Sequence, residues 1–468
     1  MLSLDENTPM GSPTAIPVTT SSAGGAVSAH WVLPVSGRLV QNATLQWNAA
    51  GVISALGPSE ETTQGALCSL AGTTLLTPGL INTHTHLELT HPEAIPLGSG
   101  NFGDWLLSVA ELTRQPYWSH SMAHANRLQN AAQQLWQSGV TTVNDIARHP
   151  ETFSILQQLG VRGVISYEWF HPSWQTLSTE AVLTEYTHWW HQRDTQSRLH
   201  IGLSPHSFYN VSPGALRSVL THCAKTATPP WLIHTHVGEC EAEKAWLTGD
   251  PNVFDQLHQT LLGKTYTPEP LPKQSGYLYS NWLAYIQAHE LFNLASRWIW
   301  AHGVGLSPSE WEQLMDLPKQ QNVHVRVSHC PSSNLFLHGK TLPGDRVAWA
   351  YEHGLVSLGT DSSLSGAVPY KALDVRAEAR YVAQQSRLSG EALLQMVTQQ
   401  AASHLGLESL VGQLSPGWQA DWVLWSVPPH VPCQTPQQAY NAWLNPDVVP
   451  LAVAVQGAIC YTQLAQGC

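Results

Sequence analysis

The stretch PGLINTHTHLELT, residues 78–90, places His84 and His86 on either side of a single threonine at the end of an apolar run. In a β-strand, side chains at positions i and i+2 point to the same face, so both imidazoles would face the same way. Two imidazoles held in this way supply half of a metal site. Two solvent-facing histidines in a turn are the alternative, and histidines elsewhere in the chain must decide between the two.

Seven further apolar segments have the character of strands. They are TTVNDI (141–146), VRGVISYEWF (161–170), LHIGLSPHSF (199–208), PWLIHTHVGE (230–239), WIWAHGV (298–304), VHVRVSHCPSSN (323–334) and LVSLGTDSS (355–363). The segments between them, such as MAHANRLQNAAQQLWQSG, have the apolar spacing of helices. Eight strands alternating with helices predict an α/β fold, a (β/α)8 TIM barrel. A doubly wound open sheet is the alternative, but no glycine-rich phosphate loop follows the first strand.

The two ends of the chain differ from this pattern. Residues 27–77 and 415–468 contain short strands broken by turns, and we expect them to pair as one small β-sandwich domain. The barrel would then span residues 78–414. Residues 1–26 are rich in Pro, Ser, Thr and Gly and predict a disordered tail. The proline-rich segment YTPEPLPKQSG (266–276) predicts a loop that borders the site.

Charge and cysteine content exclude several classes of protein. The net charge is −12 and the first lysine is Lys225, which argues against nucleic-acid or anionic-membrane surfaces. The seven cysteines form no CxxC pair, and the N-terminus has no features of a secretory signal. We therefore expect a cytoplasmic protein with reduced thiols and a small-molecule substrate. The oligomeric state stays open, with a homodimer as one expectation.

Most of the predicted strands end in residues that can bind a metal ion or transfer a proton. TIM-barrel enzymes place their chemistry at the C-terminal ends of the strands. Five of the eight strands end in histidine and another ends in aspartate. The residues are His84, His86, His206, His236 with Glu239, His302, His329 and Asp361. A single buried histidine is usually structural, but composition alone does not produce this coincidence, which predicts a functional site.

Seven motifs resemble those of a known family. TPGLINTHTH, SPHSFYNVS, HVGECEAE, AHGVGLS, HCPSSNLFL, LGTDSSLSG and GQLSPGWQADWVLW occur in the order and spacing of the amidohydrolase superfamily. The chain is similar to its branch of deaminases and chlorohydrolases acting on N-heterocycles, such as cytosine deaminase, S-adenosylhomocysteine deaminase and aminofutalosine deaminase. The resemblance extends from about Val27 to Trp425. It implies hydrolysis of a C–N bond, here the deamination of an amino-substituted heterocycle.

The resemblance also implies roles for individual residues. The ligands of one divalent metal ion would be His84, His86, His236 and Asp361. Glu239 would shuttle protons, and His302 would orient the attacking water or polarise the substrate. His206 would contact the substrate. The HCPSSN motif adds His329 and Asn334 as expected substrate contacts, although His329 could instead hold its loop through its ring nitrogens.

The chemistry of these residue types agrees with those roles. Three neutral imidazoles and one carboxylate leave a divalent ion an open position for water, whose pKa then falls to ~7. Asp361 can take the first proton, and Glu239 can deliver one to a ring nitrogen. A second HxH makes His234 an alternative ligand, but His236 is favoured by its Glu239 partner, and His234 is expected to be structural.

The resemblance predicts a single metal ion. Related binuclear enzymes bridge two ions with a carboxylated lysine from the fourth strand, but here that strand ends in GLSPHSFY without lysine. Zinc is the ion that this ligand set favours, and iron is the alternative.

The segment after the HxH pair bears on the substrate. Glu88 has the strand parity of the two histidines, so if the strand persists its carboxylate points into the pocket mouth and favours a substrate hydroxyl or amine. A carboxylate at a helix start is the alternative. HTHLEL followed by FGDWL (102–106) resembles aminofutalosine-type deaminases, which act on a 6-aminopurine nucleoside.

Two other functions stay open from the sequence. One is a hydrolase that expels chloride or a thiol by the same chemistry. The other is a catalytically silent metal-binding homologue, which the joint presence of Glu239, His302 and Asp361 argues against.

Overall fold

The structure is a computed structural model that describes residues 18–21, 24–59, 73–90, 102–170, 178–194, 197–263, 279–366 and 373–463. Most of the predicted tail and the proline-rich segment 266–276 lie outside these residues. None of the helices in the described ranges has the length and apolar character needed to cross a bilayer.

The strands and helices alternate along most of the chain. The strands are β1 (Val18–Ser21), β2 (Gly24–Val32), β3 (Val40–Asn48), β4 (Ile53–Pro58), β5 (Thr73–Pro78), β6 (Leu80–Thr85), β7 (Val140–Ala147), β8 (Arg162–Trp169), β9 (Leu199–Pro205), β10 (Ile233–Val237), β11 (Arg297–His302), β12 (His324–His329), β13 (Val356–Leu358), β14 (Trp422–Val427), β15 (Val449–Val455) and β16 (Ala458–Thr462). The helices are α1 (Phe102–Thr113), α2 (Pro116–Ser119), α3 (Ser121–Gln137), α4 (Thr152–Gln158), α5 (Thr179–Gln192), α6 (Pro213–Lys225), α7 (Glu241–Thr248), α8 (Val253–Leu262), α9 (Trp282–Ala288), α10 (Pro308–Gln321), α11 (Pro331–His338), α12 (Gly344–Glu352), α13 (Val375–Gln385), α14 (Gly390–Met396), α15 (Gln399–Leu405) and α16 (Pro436–Ala442).

Strands β6 to β13 form one parallel sheet in sequence order. Every residue of β7, β8 and β10 is buried, as expected of parallel strands that helices cover. The first and last strands meet where the backbone N–H groups of Thr360 and Asp361 donate to the carbonyl of His84, each at 3.0 Å. This contact closes the sheet, and the predicted TIM barrel is confirmed.

Local sequence explains where several barrel helices begin. Ser178, Ser212 and Ser307 directly precede α5, α6 and α10, and the side chain of each accepts a hydrogen bond from a backbone N–H in the first turn. A serine in this position satisfies an amide that has no partner within the helix. Because each helix starts soon after a strand, the chain can return across the outside of the barrel to the next parallel strand.

The remaining strands form a second sheet from both ends of the chain. Their order is β16-β15-β14-β5-β2-β3-β4, with β1 paired to β2. β14 pairs antiparallel with β5, which confirms the predicted union of the N- and C-terminal segments. Trp47 and Trp422 have ring centroids 5.7 Å apart although two strands separate β3 from β14 in the sheet. The two layers expected of a sandwich therefore belong to one sheet that folds over its own apolar core.

Two predicted domain boundaries need correction. Residues 18–21 and 24–26, assigned to the disordered tail, lie in β1 and β2, which pair antiparallel. At the other end, Leu414 falls within the predicted barrel range 78–414 but packs in the core of the β-domain, and its backbone N–H donates to the carbonyl of Pro34 (3.0 Å).

A buried ion pair joins the barrel to the β-domain. Nε of Arg162, at the start of β8, donates to Oδ2 of Asp421 (2.7 Å), and Nη2 donates to Oδ1 (3.3 Å). Oδ1 also accepts from the backbone N–H of Gln456 (2.7 Å). The two charged side chains are only 7% and 2% exposed. Removing one partner would leave the other charge buried and unpaired, which is costly.

We therefore predict that Arg162→Ala lowers the free energy of unfolding by about 3–5 kcal/mol. Denaturant unfolding followed by tryptophan fluorescence would measure the change. Lys319→Ala is the control, because Lys319 pairs with Asp316 on an exposed helix surface; its loss should stay below about 1 kcal/mol. Equal losses in the two variants would contradict a special role for the buried pair.

Candidate active site

The barrel brings the predicted metal ligands together at the C-terminal ends of its strands. Oδ1 of Asp361 lies 3.5 Å from Nε2 of both His84 and His86. The ring of His236 lies 5.1 Å from that of His84 and 5.4 Å from that of His302, measured between centroids. Potential ligand atoms fall within 4.8 Å of one another in two overlapping groups, which are His84, His86, Asp361 and His84, His236, His302.

The histidines of this cluster are suited to hold a divalent ion. Nε2 of His84 is buried without a hydrogen-bond partner among the described residues. Nδ1 of His236 donates to the carbonyl of His206 (2.7 Å), which leaves Nε2 free to face the cluster. Burial lowers the pKa of His236 to about 4, so its ring is neutral near pH 7. Neutral imidazoles beside a carboxylate match the donor set of a catalytic zinc site.

His234 lies behind the cluster, as expected of a structural residue. Its Nε2 is 3.0 Å from Nδ1 of His84, and its Nδ1 is 2.7 Å from the side-chain amide nitrogen of Asn144. Both ring nitrogens of His234 are therefore engaged. His234 fixes the orientation of the His84 ring, and His236 is the residue of this HxH pair that faces the cluster.

The backbone at His302 and Asp361 is strained. These residues have φ angles of 75° and 58°, in the left-handed region that residues other than glycine rarely adopt. Such a conformation costs about 1–3 kcal/mol and is often found at functional sites. Oδ2 of Asp361 accepts a hydrogen bond from Oγ of Ser333 (2.6 Å), so that Oδ1 faces the histidines. The strain therefore directs both side chains into the pocket.

Glu239 follows β10 and faces the same pocket. Its Oε1 lies 3.9 Å from Nε2 of His302 and 3.3 Å from Nε2 of His338. Burial opposes ionisation of the carboxyl, but the neighbouring His302 and the hydrogen bond from His338 outweigh it, and the pKa of Glu239 is lowered. The loop is held by Glu243, whose carboxylate accepts the backbone N–H groups of Gly238, Glu239 and Cys240.

His206 borders the pocket, as the sequence predicts. Its ring centroid lies 4.6 Å from that of His236 and 4.8 Å from that of Phe170, on which it stacks. Nδ1 contacts the amide of Asn210 (3.0 Å), which fixes the ring. His206 is therefore in position to contact a ligand.

The expectation for Glu88 needs correction. β6 ends at Thr85, and Glu88 lies in a short 3-10 helix, so the parity argument does not apply. Its Oε1 accepts hydrogen bonds from the backbone N–H groups of Arg148 (3.1 Å) and His149 (2.8 Å) and from the hydroxyl of Thr152. Glu88 forms part of the pocket wall, but this carboxylate oxygen holds the loop after β7.

His329 and Asn334 also differ from their expected role as substrate contacts. Nδ1 of His329 lies 3.3 Å from the carbonyl of His302, and Nε2 lies 3.0 Å from the hydroxyl of Thr341. The amide of Asn334 lies 3.2 Å from Nδ1 of His302. Neither residue is among those that line the pocket. Both position His302 from behind, because α11 starts immediately after β12 and carries Asn334 under the ring.

The pocket includes residues to which the sequence assigned no individual role. One wall is apolar and comes mainly from α1, and two of the remaining contributors are charged, one directly after β7 and one in β8. The residues are Leu89, Phe102, Trp105, Leu106, Val109, Ala110, Thr113, Ile146, Arg148, Glu168, Phe170 and Ser362. A lone acid in the apolar run VISYEWF was the signal that could have revealed Glu168. His338 carried no such signal, because only the packing of α11 brings it to Glu239.

Comparison with known proteins identifies the family. Residues 75–460 match the amidohydrolase family. The chain belongs to this family. The chain is 23% identical to guanine deaminase of Escherichia coli over 369 residues, which cover 75% of this chain and 72% of that protein. It is 25% identical to 5-methylthioadenosine/S-adenosylhomocysteine deaminase of Thermodesulfovibrio yellowstonii, with coverage of 76% and 73%.

A solved structure supports the fold of this amidohydrolase. The crystal structure of Helicobacter pylori aminofutalosine deaminase in complex with methylthio-coformycin matches with a TM-score of 0.74 and 21% identity. The match covers 93% of this chain and 99% of that chain. The barrel and the β-domain are therefore both part of a known architecture.

For the metal site, we predict that purified protein holds about one equivalent of a divalent ion and that His86→Ala sharply lowers it, because the substitution removes one of the four expected ligands. Elemental analysis of the two proteins would measure the change. His353→Ala is the control, since His353 lies exposed on the protein surface. Two equivalents in the wild type, or equal metal in all three proteins, would show that the ligand set is wrong.

Proposed function

We propose that this amidohydrolase deaminates an amino-substituted N-heterocycle, with an aminopurine nucleoside as the substrate class. The proposal depends chiefly on one observation. A buried carboxylate, that of Glu239, lies 3.9 Å from His302 beside a cluster of three further histidines and Asp361. This arrangement provides a proton carrier next to a metal site, as hydrolytic removal of an amino group requires.

We propose that His84, His86, His236 and Asp361 hold the metal ion, with zinc as the ion and iron as the alternative. When bound there, a divalent ion supplies an acidified water as the nucleophile. The buried Nε2 of His84 supports this assignment, since among the described residues it has no hydrogen-bond partner closer than the 3.5 Å contact with Oδ1 of Asp361.

The protein's own residues would handle the protons. Oδ1 of Asp361 faces the cluster, and the bond from Ser333 to Oδ2 keeps it there, so Asp361 is placed to accept the proton of the attacking water. The ionised carboxylate of Glu239 would take the other proton of that water and pass it to a ring nitrogen of the heterocycle, and the proton held by Asp361 would leave with the departing amine. His302 would orient the attacking water or polarise the substrate, and Asn334 and His329 hold its ring and backbone in place for this role.

The pocket wall supports an aromatic substrate. Phe102 and Trp105 of α1 stack on each other, with centroids 6.0 Å apart, and both line the pocket. A planar heterocycle between this wall and the histidines would bury its faces on apolar side chains while its edge meets Glu239 and His206.

Ammonia release from a panel of aminopurine and aminopyrimidine bases and nucleosides would test the proposal. We expect turnover of at least one aminopurine nucleoside, which stops when the metal is removed by a chelator. Release of chloride from chloro-heterocycles without release of ammonia would show that the enzyme is a dechlorinating hydrolase and not a deaminase. Absence of both activities from metal-loaded protein would favour a silent metal-binding homologue.

Glu239→Gln should lower kcat by about 10²–10⁴-fold, because the amide keeps the shape of the side chain but cannot titrate. Metal content should remain unchanged, since Glu239 is not a proposed ligand. Both quantities would be measured on one preparation. Loss of both metal and activity in Glu239→Gln would show that Glu239 is a metal ligand. Full activity in this variant would exclude Glu239 from proton transfer.

His338→Ala should shift the acidic limb of the kcat–pH profile to higher pH. His338 and His302 lower the pKa of Glu239, so removing one of them raises that pKa, and the ionised carboxylate is lost sooner as the pH falls. His338→Gln retains a donor and should restore most of the wild-type profile. A profile unchanged in the alanine variant would show that His338 does not act through Glu239.

We further propose that the enzyme works in the cytoplasm on a small molecule, and the acidic charge and the five free cysteines among the described residues support this proposal. A homodimer stays a prediction, and sedimentation of the purified protein would test it.

A further inference from the structure

A chain of buried polar side chains crosses the barrel behind the metal cluster. Its members are His84 of β6, Asn144 of β7, Ser166 of β8 and His234 of β10, and all four are fully buried. Nδ1 of His84 lies 3.0 Å from Nε2 of His234, whose Nδ1 lies 2.7 Å from Nδ2 of Asn144. Oδ1 of Asn144 lies 3.3 Å from Oγ of Ser166. Asn144 is therefore two contacts away from a proposed metal ligand.

The hydrogen bonds of this chain have one direction in the structure. Oγ of Ser166 donates to Oδ1 of Asn144, and Nδ2 of Asn144 donates to Nδ1 of His234. A neutral imidazole carries a single proton, so the proton of His234 lies on Nε2 and is donated to Nδ1 of His84. The proton of His84 then lies on Nε2, which faces Oδ1 of Asp361 at 3.5 Å. In this direction Nε2 of His84 has no lone pair for a metal ion.

A metal ion on Nε2 of His84 requires the opposite direction. Coordination uses the lone pair of Nε2, so the ring proton lies on Nδ1 and is donated to Nε2 of His234. The proton of His234 then lies on Nδ1, and the group at 2.7 Å from this atom must accept it. Each ring carries one proton in both directions, so the two directions differ only in where the ring protons lie.

Asn144 is suited to the metal-bound direction because its amide contains an acceptor as well as a donor. A turn of the amide by about 180° places Oδ1 against Nδ1 of His234 and Nδ2 against Oγ of Ser166, whose hydroxyl can accept as well as donate. Ser166 can occupy this place because Gly202, its partner on β9, has no side chain. A Cβ atom on Gly202 would lie 2.3 Å from Oγ of Ser166.

We infer that Asn144 is a positioning residue for the metal ligand His84 and acts through His234. With a divalent ion bound, the amide oxygen of Asn144 accepts from Nδ1 of His234, and His234 in turn holds the His84 ring with its Nε2 lone pair towards the ion. This inference rests on the assignment of His84 as a ligand in the proposed function, and it does not depend on the substrate.

The position of the ring proton on His234 tests the inference directly. Protein with 15N-labelled histidine rings would be loaded with zinc, and nuclear magnetic resonance would show which ring nitrogen carries the proton. His234→Phe would identify the signals of His234 by their loss. We expect the proton on Nδ1 in the zinc-loaded protein, and a proton on Nε2 would overturn the inference. This measurement uses the unmodified protein, so it stands even if a variant fails to fold.

Zinc affinity gives a second readout that does not depend on activity, and competition with a chelating dye would measure it. Asn144→Leu removes the acceptor and should weaken zinc binding by about 10–100-fold, as loss of a partner behind a ligand typically does. Asn144→Asp keeps an acceptor oxygen at the same place and should bind zinc within about threefold of the wild type. Wild-type affinity in Asn144→Leu, or equal weakening in both variants, would overturn the inference.

Thr142→Val is the matched control. Thr142 is also fully buried on β7, and its hydroxyl makes no hydrogen bond among the described residues. Its zinc affinity should stay within about twofold of the wild type. In a His234→Phe background, Asn144→Leu should cost less than about threefold, because Asn144 then has no ring through which to act. The same loss in both backgrounds would show that Asn144 has only a structural role.

The zinc measurements separate this inference from the proposed function. Zinc that is lost in His86→Ala but held normally by Asn144→Leu would overturn the role of Asn144 and leave the metal site and the deaminase intact. Asn144-dependent zinc affinity without ammonia release from any substrate would support the role of Asn144 and reject deamination. Absence of zinc binding by the wild type would overturn both.

Discussion

The candidate site depends on the hydrogen bonds that join the last strand of the barrel to the first. The backbone N–H groups of Thr360 and Asp361 both donate to the carbonyl of His84, at 3.0 Å each. This contact fixes the carboxylate of Asp361 beside the rings of His84 and His86, at 3.5 Å from both Nε2 atoms. An open sheet would leave its first and last strands at opposite edges, and the cluster could not form.

Burial and neighbouring charges together leave the ionisable side chains of the pocket in two different charge states. Burial lowers the pKa of His236 to about 4, so its ring remains neutral and offers a lone pair. The same burial would disfavour the ionised form of Glu239, but His302 and His338 outweigh it. The pocket thus holds neutral imidazoles beside a charged carboxylate, which is the combination needed to bind a metal ion and to carry protons.

The alternation of side chains along a strand correctly places residues in the strand or next to its end. It does not place residues that lie beyond the end of the strand. His84 lies in β6 and His86 directly follows its last residue, so the alternation of the strand still places both side chains in one cluster. Glu88 has the same parity, but β6 ends before it and the chain turns into a 3-10 helix. Asn334 similarly follows β12 on a helix, and it contacts His302 instead of the pocket.

The sequence by itself determined the barrel, the union of both chain ends in a β-domain and the identity of the clustered residues, because periodicity and motifs are local properties of the chain. The sequence favoured His236 over His234 through its Glu239 partner, but only the tertiary structure showed that His234 supports the ring of His84, since parity is the same for both and only depth in the barrel differs. The tertiary structure also decided the apolar wall from α1 and the places of His338 and Glu168. These depend on how helices and strands distant in sequence pack together, which no local pattern encodes.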